Sequence, residues 1–142
     1  MKAEQLSVFL ENRAGRLADV THALAEAGVS IRALSLADTS DFGILRLLVK
    51  EHDKAQAILK EKGFTVGSTS VVAVRVDDAP GGLDAVLQLV SKHGINVEYM
   101  YSLIRQARSE AIMIFRFDKI DLALSVLAEH HFNLVDPEQI YA

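Results

Sequence analysis

The chain has no cysteine among its 142 residues. This absence excludes disulfide frameworks, thiol catalysis and zinc or iron–sulfur sites built on cysteine, and it fits a reducing compartment. Basic runs are also absent, and 15 Lys+Arg against 19 Asp+Glu give a formal net charge of −4. The sequence has no basic segment that could neutralise the phosphates of a nucleic acid, so we expect no nucleic-acid partner.

Long hydrophobic runs are missing as well. Arg46 and Arg116 interrupt the most apolar segments well short of the length that spans a bilayer. The first residues do not combine a charged start with a long apolar stretch, as a secretion signal does. We therefore expect a soluble cytoplasmic protein with no membrane partner. Hydrophobic residues make up 50% of the chain, enough to bury a core.

What the sequence does contain is an internal repeat. Gly15-Arg16-Leu17 recurs as Gly81-Gly82-Leu83, and Gly28-Val29-Ser30-Ile31 recurs as Gly94-Ile95-Asn96-Val97, both at an offset of 66 (81 − 15 = 94 − 28). After a two-residue insertion near 106–109 the offset becomes 68, which places Phe64 on Phe132. The repeat predicts two domains, residues 1–69 and 70–142.

Periodicity gives the order of elements within one repeat. Leu6, Val8 and Leu10 alternate as in a half-buried strand, and their counterparts are Val72, Val74 and Val76. Helical spacing then continues to Gly28, a C-terminal cap. The predicted elements are a strand near 5–11, a helix ending at 28, strands near 29–37 and 42–50 around a turn at 38–41, a helix over 54–62 and a strand over 64–68.

The order βαββαβ, present twice, predicts an α+β fold of two ferredoxin-like units with both helices on one face of an antiparallel sheet. Because the join near Thr69-Ser70 is too short for a free linker, we expect the last strand of one unit to run almost directly into the first strand of the next. The expected arrangement is side by side, with the sheets joined edge to edge.

The segment 11–17 lies between the first predicted strand and helix. Free N–H groups and the positive end of the helix dipole point into such a loop, which can then hold a carboxylate, and Arg13 and Arg16 add positive charge. A purely structural interpretation is that Gly15 serves a tight turn and Asn12 orders the loop. The residues alone slightly favour the structural interpretation.

The same segment resembles the strand–loop–helix signature of ACT domains, an acidic or Asn residue followed by x-Pro-Gly-x-Leu. It is especially similar to the serine-sensing regulatory domain of phosphoglycerate dehydrogenase. The second half repeats the signature around Pro80, where the first half has Ala14. Gly28-Val29-Ser30-Ile31 and Gly94-Ile95-Asn96-Val97 resemble the Gly-x-Asn-Ile/Val that opens the second strand of the family.

The resemblance implies two unequal amino-acid sites, each pairing the loop of one half with the strand segment of the other. Because Ser30 is shorter than Asn, we expect the site with Asn12 and Asn96 to bind more tightly. Its implied residues are Asn12, Arg13, Ala14, Gly15, Arg16, Leu17, Asn96 and Val97. The weaker second site comprises Asp78, Ala79, Pro80, Gly81, Gly82, Leu83, Ser30 and Ile31.

The chemistry of these groups suits a zwitterion. Loop amides can hold the α-carboxylate, while the side-chain oxygens of Asn12 and Asn96 can accept from the α-ammonium group. Tyr99, Met100 and Tyr101 lie on the strand that follows Asn96, where packing is favoured over lining a pocket. Arg105, Arg108 and Glu110 are interpreted as a solvated hairpin tip.

No catalytic or metal motif is found in the sequence. The five histidines, His22, His52, His93, His130 and His131, are expected to be solvated or to cap helices. None is expected to pair with a second histidine or a carboxylate four residues away. No Gly-x-Ser-x-Gly, phosphate-binding loop or Ser/His/Asp set is recognised. We therefore expect no bound metal, no cofactor and no enzymatic activity.

Three hypotheses follow. The leading one is an allosteric sensor that binds an amino acid where its halves meet and regulates a partner enzyme or its own assembly, with a homodimer as the expected assembly. The second is a structural or protein-interaction subunit that has lost its ligand, which Ala14 and Ser30 favour. The third is a small enzyme on a ferredoxin-like scaffold, against which the lack of clustered catalytic groups argues.

Overall fold

The computed structural model describes residues 1–38, 40–103 and 110–141, and the chain divides into two units. The first unit is Glu4–Thr69, and the second is Ser70–Ala142 together with Met1–Ala3. The strands are β1 (Ala3–Glu11), β2 (Ile31–Asp38), β3 (Phe42–Val49), β4 (Thr65–Asp77), β5 (Val97–Ser102), β6 (Glu110–Phe117) and β7 (Asn133–Leu134). The helices are α1 (Arg16–Glu26), α2 (His52–Glu61), α3 (Gly82–Lys92), α4 (Ile120–Glu129) and α5 (Pro137–Tyr141).

In the first unit the strand order is β2-β3-β1-β4, and β3 pairs antiparallel with both β1 and β2. Alternation decides which face of β1 is buried, as predicted: Leu6, Val8 and Leu10 are at most 3% exposed. These side chains form one core with residues of α1 and α2, among them Leu24 and Leu59. The two helices therefore cover the apolar face of this sheet.

The second unit repeats the arrangement. β4 pairs antiparallel with β6 on one side and β7 on the other, and β5 pairs antiparallel with β6. Val72, Val74 and Val76 are at most 7% exposed and form a core with α3 and α4, as the repeat predicts. The predicted α+β class with two ferredoxin-like βαββαβ units is thus confirmed.

Two features differ from the predicted repeat. β4 is one continuous strand of 13 residues, where the sequence suggested two strands that nearly meet. β7 has only two residues, because the chain turns into the unpredicted helix α5. Pro137 fits the first position of a helix, and Asp136 Oδ1 accepts the backbone N–H of Glu138 at 3.0 Å. Thr39 of the predicted turn and the insertion near 106–109 lie outside the described residues.

The four long helices end in the same way. The residue after each C-cap is left-handed: Gly28 with φ +73°, Gly63 with φ +91°, Gly94 with φ +69° and His131 with φ +62°. Each ending places the next backbone N–H on a carbonyl of the last turn, at 2.9–3.0 Å, for instance Phe132 N–H on Leu127. His131 therefore occupies a conformation in which the other three helices use glycine.

We expect His131→Gly to raise the free energy of unfolding by about 1 kcal/mol. A left-handed backbone costs a residue with a side chain roughly 1–2 kcal/mol, and the removal of this cost is partly offset because glycine loses more conformational entropy on folding. Urea denaturation measures the change. The matched control is Gly63→Ala, which introduces the same strain and should lower the unfolding free energy by about 1 kcal/mol. A destabilised His131→Gly would contradict this explanation.

Candidate functional site

Both units pass from strand to helix through a left-handed glycine. Gly15 precedes α1 with φ +91°, Gly81 precedes α3 with φ +90°, and neither helix has a side-chain N-cap hydrogen bond. Added Cβ atoms at both positions would meet nothing within 4 Å, so the requirement for glycine is conformational rather than steric. The first-turn N–H groups of each helix are therefore offered without competition from a capping side chain.

The first loop, residues 12–15, is braced by the β2–β3 hairpin. The backbone N–H of Asn12 donates to the carbonyl of Asp41 at 2.8 Å, and its side-chain Nδ2 lies 3.4 Å from the carbonyl of Ser40. Asn12 thus orders the loop, as its structural interpretation states. Its side-chain Oδ1 has no hydrogen-bond partner among the described residues and remains an acceptor. Sequence reasoning missed the bracing role of Ser40 and Asp41.

The two arginines of this region are paired with carboxylates. Arg13 Nε lies 2.9 Å from Glu11 Oε2, and both side chains are exposed. Arg16 donates to Asp19 Oδ2 at 3.0 Å, and its guanidinium carbon lies 4.5 Å from the centroid of the Phe64 ring. The Arg13–Glu11 pair is therefore a solvent-exposed contact, whereas the Arg16 side chain is largely buried against its own unit.

The second loop, residues 78–81, borders a cavity of about 460 Å³ within the second unit. Four residues of the predicted weaker site line this cavity: Ala79, Pro80, Gly81 and Gly82. In the first unit a pocket of about 420 Å³ lies along α1, and Arg16 is the predicted site residue that lines it. The structure thus brings more of the second loop than of the first to a concave surface.

The strand segments predicted to complete the sites differ in how they are held. Asn96 is exposed just before β5, and Asp118 binds it at two points: Asp118 Oδ1 accepts the Asn96 N–H at 2.9 Å, and the Asp118 N–H donates to the Asn96 carbonyl at 3.1 Å. No such pair holds Ser30 within the described parts of the chain. Lys50 stands in the repeat position of Asp118 (118 − 50 = 68). Val97 and Ile31 are the half-buried first residues of β5 and β2.

The remaining predicted site residues are exposed or partly exposed. Ala14 and Asp78 are exposed. Leu17 is 38% exposed although its spacing suggested a place on the buried face of α1. On β5, Met100 packs against the second core and Tyr101 is 8% exposed, which supports the packing interpretation for this strand.

The expectation that no histidine pairs with a carboxylate four residues away is wrong. His22 Nε2 lies 2.6 Å from Glu26 Oε1 on the surface of α1. Both side chains are more than half exposed, so the pair is a solvated helix contact. His93 and His130 each contact a carbonyl one turn back, as capping histidines do. Within residues 1–38, 40–103 and 110–141, no cluster of three His, Asp or Glu side chains suits a metal ion.

His52 also differs from the expectation of a solvated or capping role. Its Nε2 lies 3.1 Å from Ser68 Oγ, which donates to Glu4 Oε2 at 3.1 Å. An activated serine needs an acid that orients the histidine, but here the carboxylate binds the serine. His52 Nδ1 is buried with no hydrogen-bond partner among the described residues. This arrangement holds Ser68 in place and differs from the serine–histidine–acid order of an activated serine.

The expected hairpin tip also needs correction. Glu110 is the first residue of β6, and its Oε2 lies 2.9 Å from Arg75 Nε on β4. Its role is therefore a cross-strand ion pair rather than a solvated tip. Arg105 and Arg108, predicted to share that tip, lie outside the described residues. No helix within the described ranges is long and apolar enough to cross a membrane.

Comparisons with known proteins agree with this fold. A crystal structure of a protein from Bacteroides thetaiotaomicron is 40% identical, with a TM-score of 0.93 over 99% of this chain and 96% of that one. The regulatory subunit of aspartate kinase from Thermus thermophilus, in its ligand-free form, is 19% identical with a TM-score of 0.61. That likeness covers 90% of this chain and 92% of the subunit.

The corresponding subunit from Thermus flavus is 18% identical with a TM-score of 0.62, covering 89% of this chain and 90% of that one. No curated protein matches the sequence. The sequence profile of a family described as an ACT domain pair matches residues 1–142. The profile spans both repeats, including the glycine-turned junctions, which are the strand–helix turns at Gly15 and Gly81. The chain therefore belongs to the ACT domain pair family.

Proposed function

We propose that the protein is a non-catalytic sensor that binds an amino acid and regulates a partner protein or its own assembly. The observation that carries the proposal is the duplicated junction at Gly15 and Gly81, where a strand enters a helix that no side chain caps. Such a junction offers first-turn N–H groups and the positive end of a helix dipole to a carboxylate. Membership of the ACT domain pair family supports a regulatory role.

The groups around the first junction suit the two charges of an amino acid. The first-turn N–H groups of α1 can bind the α-carboxylate, with the exposed Arg13 nearby. Asn12 Oδ1 and the Asn96 carboxamide, both without partners among the described residues, can accept from the α-ammonium group. The sequence-based prediction that Asn12 and Asn96 serve one ligand is part of the proposal.

The inequality of the two predicted sites also has physical support. Asp118 fixes the backbone of Asn96 at two points, so the Asn96 carboxamide is presented from an ordered segment. Ser30 has a shorter side chain, and no described residue holds its backbone in this way. The protein segment therefore loses less conformational entropy on binding at Asn96 than at Ser30. We propose that the site using Asn12 and Asn96 binds more tightly than the site using Asp78 and Ser30.

The output is proposed to pass to another protein. Regulatory subunits of aspartate kinase share this fold, so an enzyme partner is one candidate receiver, and a homodimer of this chain is another. We propose no catalytic role, because the Ser68 hydroxyl is held by Glu4 and His52 without the order that activates a serine. We also propose that the protein is cytoplasmic and that it binds no metal, cofactor, membrane or nucleic acid.

One observation favours a second function, that of an interaction subunit without a ligand. Arg13 and Arg16 are already paired with carboxylates, and Asn12 is tied to the β2–β3 hairpin. These contacts complete the first loop without any small molecule. Ligand binding separates the two functions directly.

We expect at least one of the common amino acids to raise the melting temperature in a thermal-shift screen. A ligand at one hundred times its Kd stabilises the folded state by about 2.7 kcal/mol, which corresponds to several degrees for a chain of this size. Calorimetry on each hit gives the affinity and stoichiometry. If no amino acid at millimolar concentration shifts the transition, the ligand-free interaction subunit replaces the sensor.

Substitutions test which asparagines hold the ligand. Asn12→Ala and Asn96→Ala each remove a hydrogen bond to a charged group, worth about 1.5–3 kcal/mol, and should weaken the tighter binding event about 10- to 100-fold. The matched control Ser30→Ala should change it by less than about twofold. Equal losses in the three variants, measured by calorimetry, would show that the two sites are not unequal in the proposed way.

A further inference from the structure

The two units differ at one position of the strand–helix junction. Arg16 in the first unit corresponds to Gly82 in the second (82 − 16 = 66). The Arg16 guanidinium lies over the Phe64 ring at 4.5 Å, 3.0 Å from Asp19 Oδ2 and 3.8 Å from Glu11 Oε1. Its side chain is only 22% exposed. The first unit thus contains a binding site for a guanidinium group, occupied by its own arginine.

The second unit keeps the aromatic ring and one carboxylate of this site but lacks the arginine. Phe132 stands at the repeat position of Phe64 (132 − 64 = 68), and Asp77 stands at that of Glu11 (77 − 11 = 66). Phe64 is 7% exposed beneath Arg16, whereas Phe132 is only half-buried. Both Asp77 and Phe132 line the cavity of about 460 Å³.

No side chain can enter the cavity from the position of Gly82. A Cβ atom there would lie 2.0 Å from the backbone oxygen of Asp77 and 3.0 Å from its carbonyl carbon. Backbone atoms at such distances cannot give way as the end of a flexible side chain does. The chain conformation of the second junction therefore excludes an internal arginine and leaves the ring of Phe132 uncovered at this point.

The charges of the cavity favour a cation. Arg75 lines it but is neutralised by Glu110, whose Oε2 lies 2.9 Å from Arg75 Nε. Asp77 is the cross-strand neighbour of Glu110, and its carboxylate has no ion-pair partner among the described residues. The three charged side chains sum to −1 (Arg75 +1, Glu110 −1, Asp77 −1). One cationic group on a ligand balances that charge.

We propose that the cavity of the second unit binds a small molecule carrying a guanidinium group, which stacks on Phe132 and pairs with Asp77. Its volume is within the range of small-ligand pockets. Its neutral wall of Ala79, Pro80 and Gly81 can accommodate the aliphatic part of such a molecule. This inference rests on the proposed function only because the second loop, residues 78–81, forms one wall of the cavity. It assigns that loop a ligand class, guanidinium compounds.

The test compares arginine with citrulline, a neutral isostere, and with ethylguanidine, which has no α-carboxylate. Chemical-shift titration of the full chain by NMR should give saturable binding of arginine and ethylguanidine that moves Phe132 ring signals. Citrulline should bind about 10-fold more weakly or worse, since it lacks the charge. Asp77→Asn, an exposed substitution, should weaken arginine binding about 2- to 5-fold.

The first unit provides an internal control. Arg16→Ala should empty the site over Phe64 and lower the melting temperature. Ethylguanidine should then bind at two sites rather than one, and it should reverse part of that decrease. Ethylurea, its neutral analogue, should not. Equal binding of arginine and citrulline, or arginine binding unaffected by Asp77→Asn, would overturn the inference while leaving amino-acid binding at Asn12 intact. Binding of arginine and ethylguanidine at this cavity, with no amino acid bound by Asn12 and Asn96, would support the inference and contradict the proposed Asn12–Asn96 site instead.

Discussion

The left-handed turn at Gly15 and Gly81 is the constraint on which the rest of this structure depends. A positive φ at that point lets a buried strand reverse into a helix without a capping side chain, and it fixes where α1 and α3 begin. The helices can then cover the apolar face of their own sheet. The same geometry leaves N–H groups at the helix starts, so a requirement of the fold creates the chemistry of the proposed function.

The two units share one fold but differ in the side chains beside the strand–helix junction. Arg16 fills the space beside Phe64, whereas Gly82 leaves the space beside Phe132 open because the backbone of Asp77 approaches too closely. The C-terminal end of α4 differs in the same region, where His131 replaces the glycine of the other helices. The two units therefore offer different surfaces, and the unequal ligand binding that we propose rests on a few substitutions rather than on a change of fold.

Much of the fold was predictable because it depends on backbone periodicity. Alternation identified Leu6 and Val74 as core residues, and the glycine spacing identified the helix ends. The stacking of Arg16 on Phe64 and the Asp118 contacts with Asn96 were not predictable, because they depend on side-chain directions that a repeat offset does not specify. The short β7 and helix α5 were missed because the repeat predicts a full last strand after Phe132. Asp136 and Pro137, which start α5, have no counterpart in that pattern.

The backbone amide signals of Gly15 and Gly81 test most directly whether a ligand binds at the helix starts. They are followed in ¹H–¹⁵N NMR spectra during titration with an amino acid that stabilises the protein. If the ligand binds at the glycine-turned junctions, the signal of Gly15 or Gly81 and those of the following helix turn shift with a common saturation curve. Saturable shifts confined to residues remote from both junctions would contradict the account.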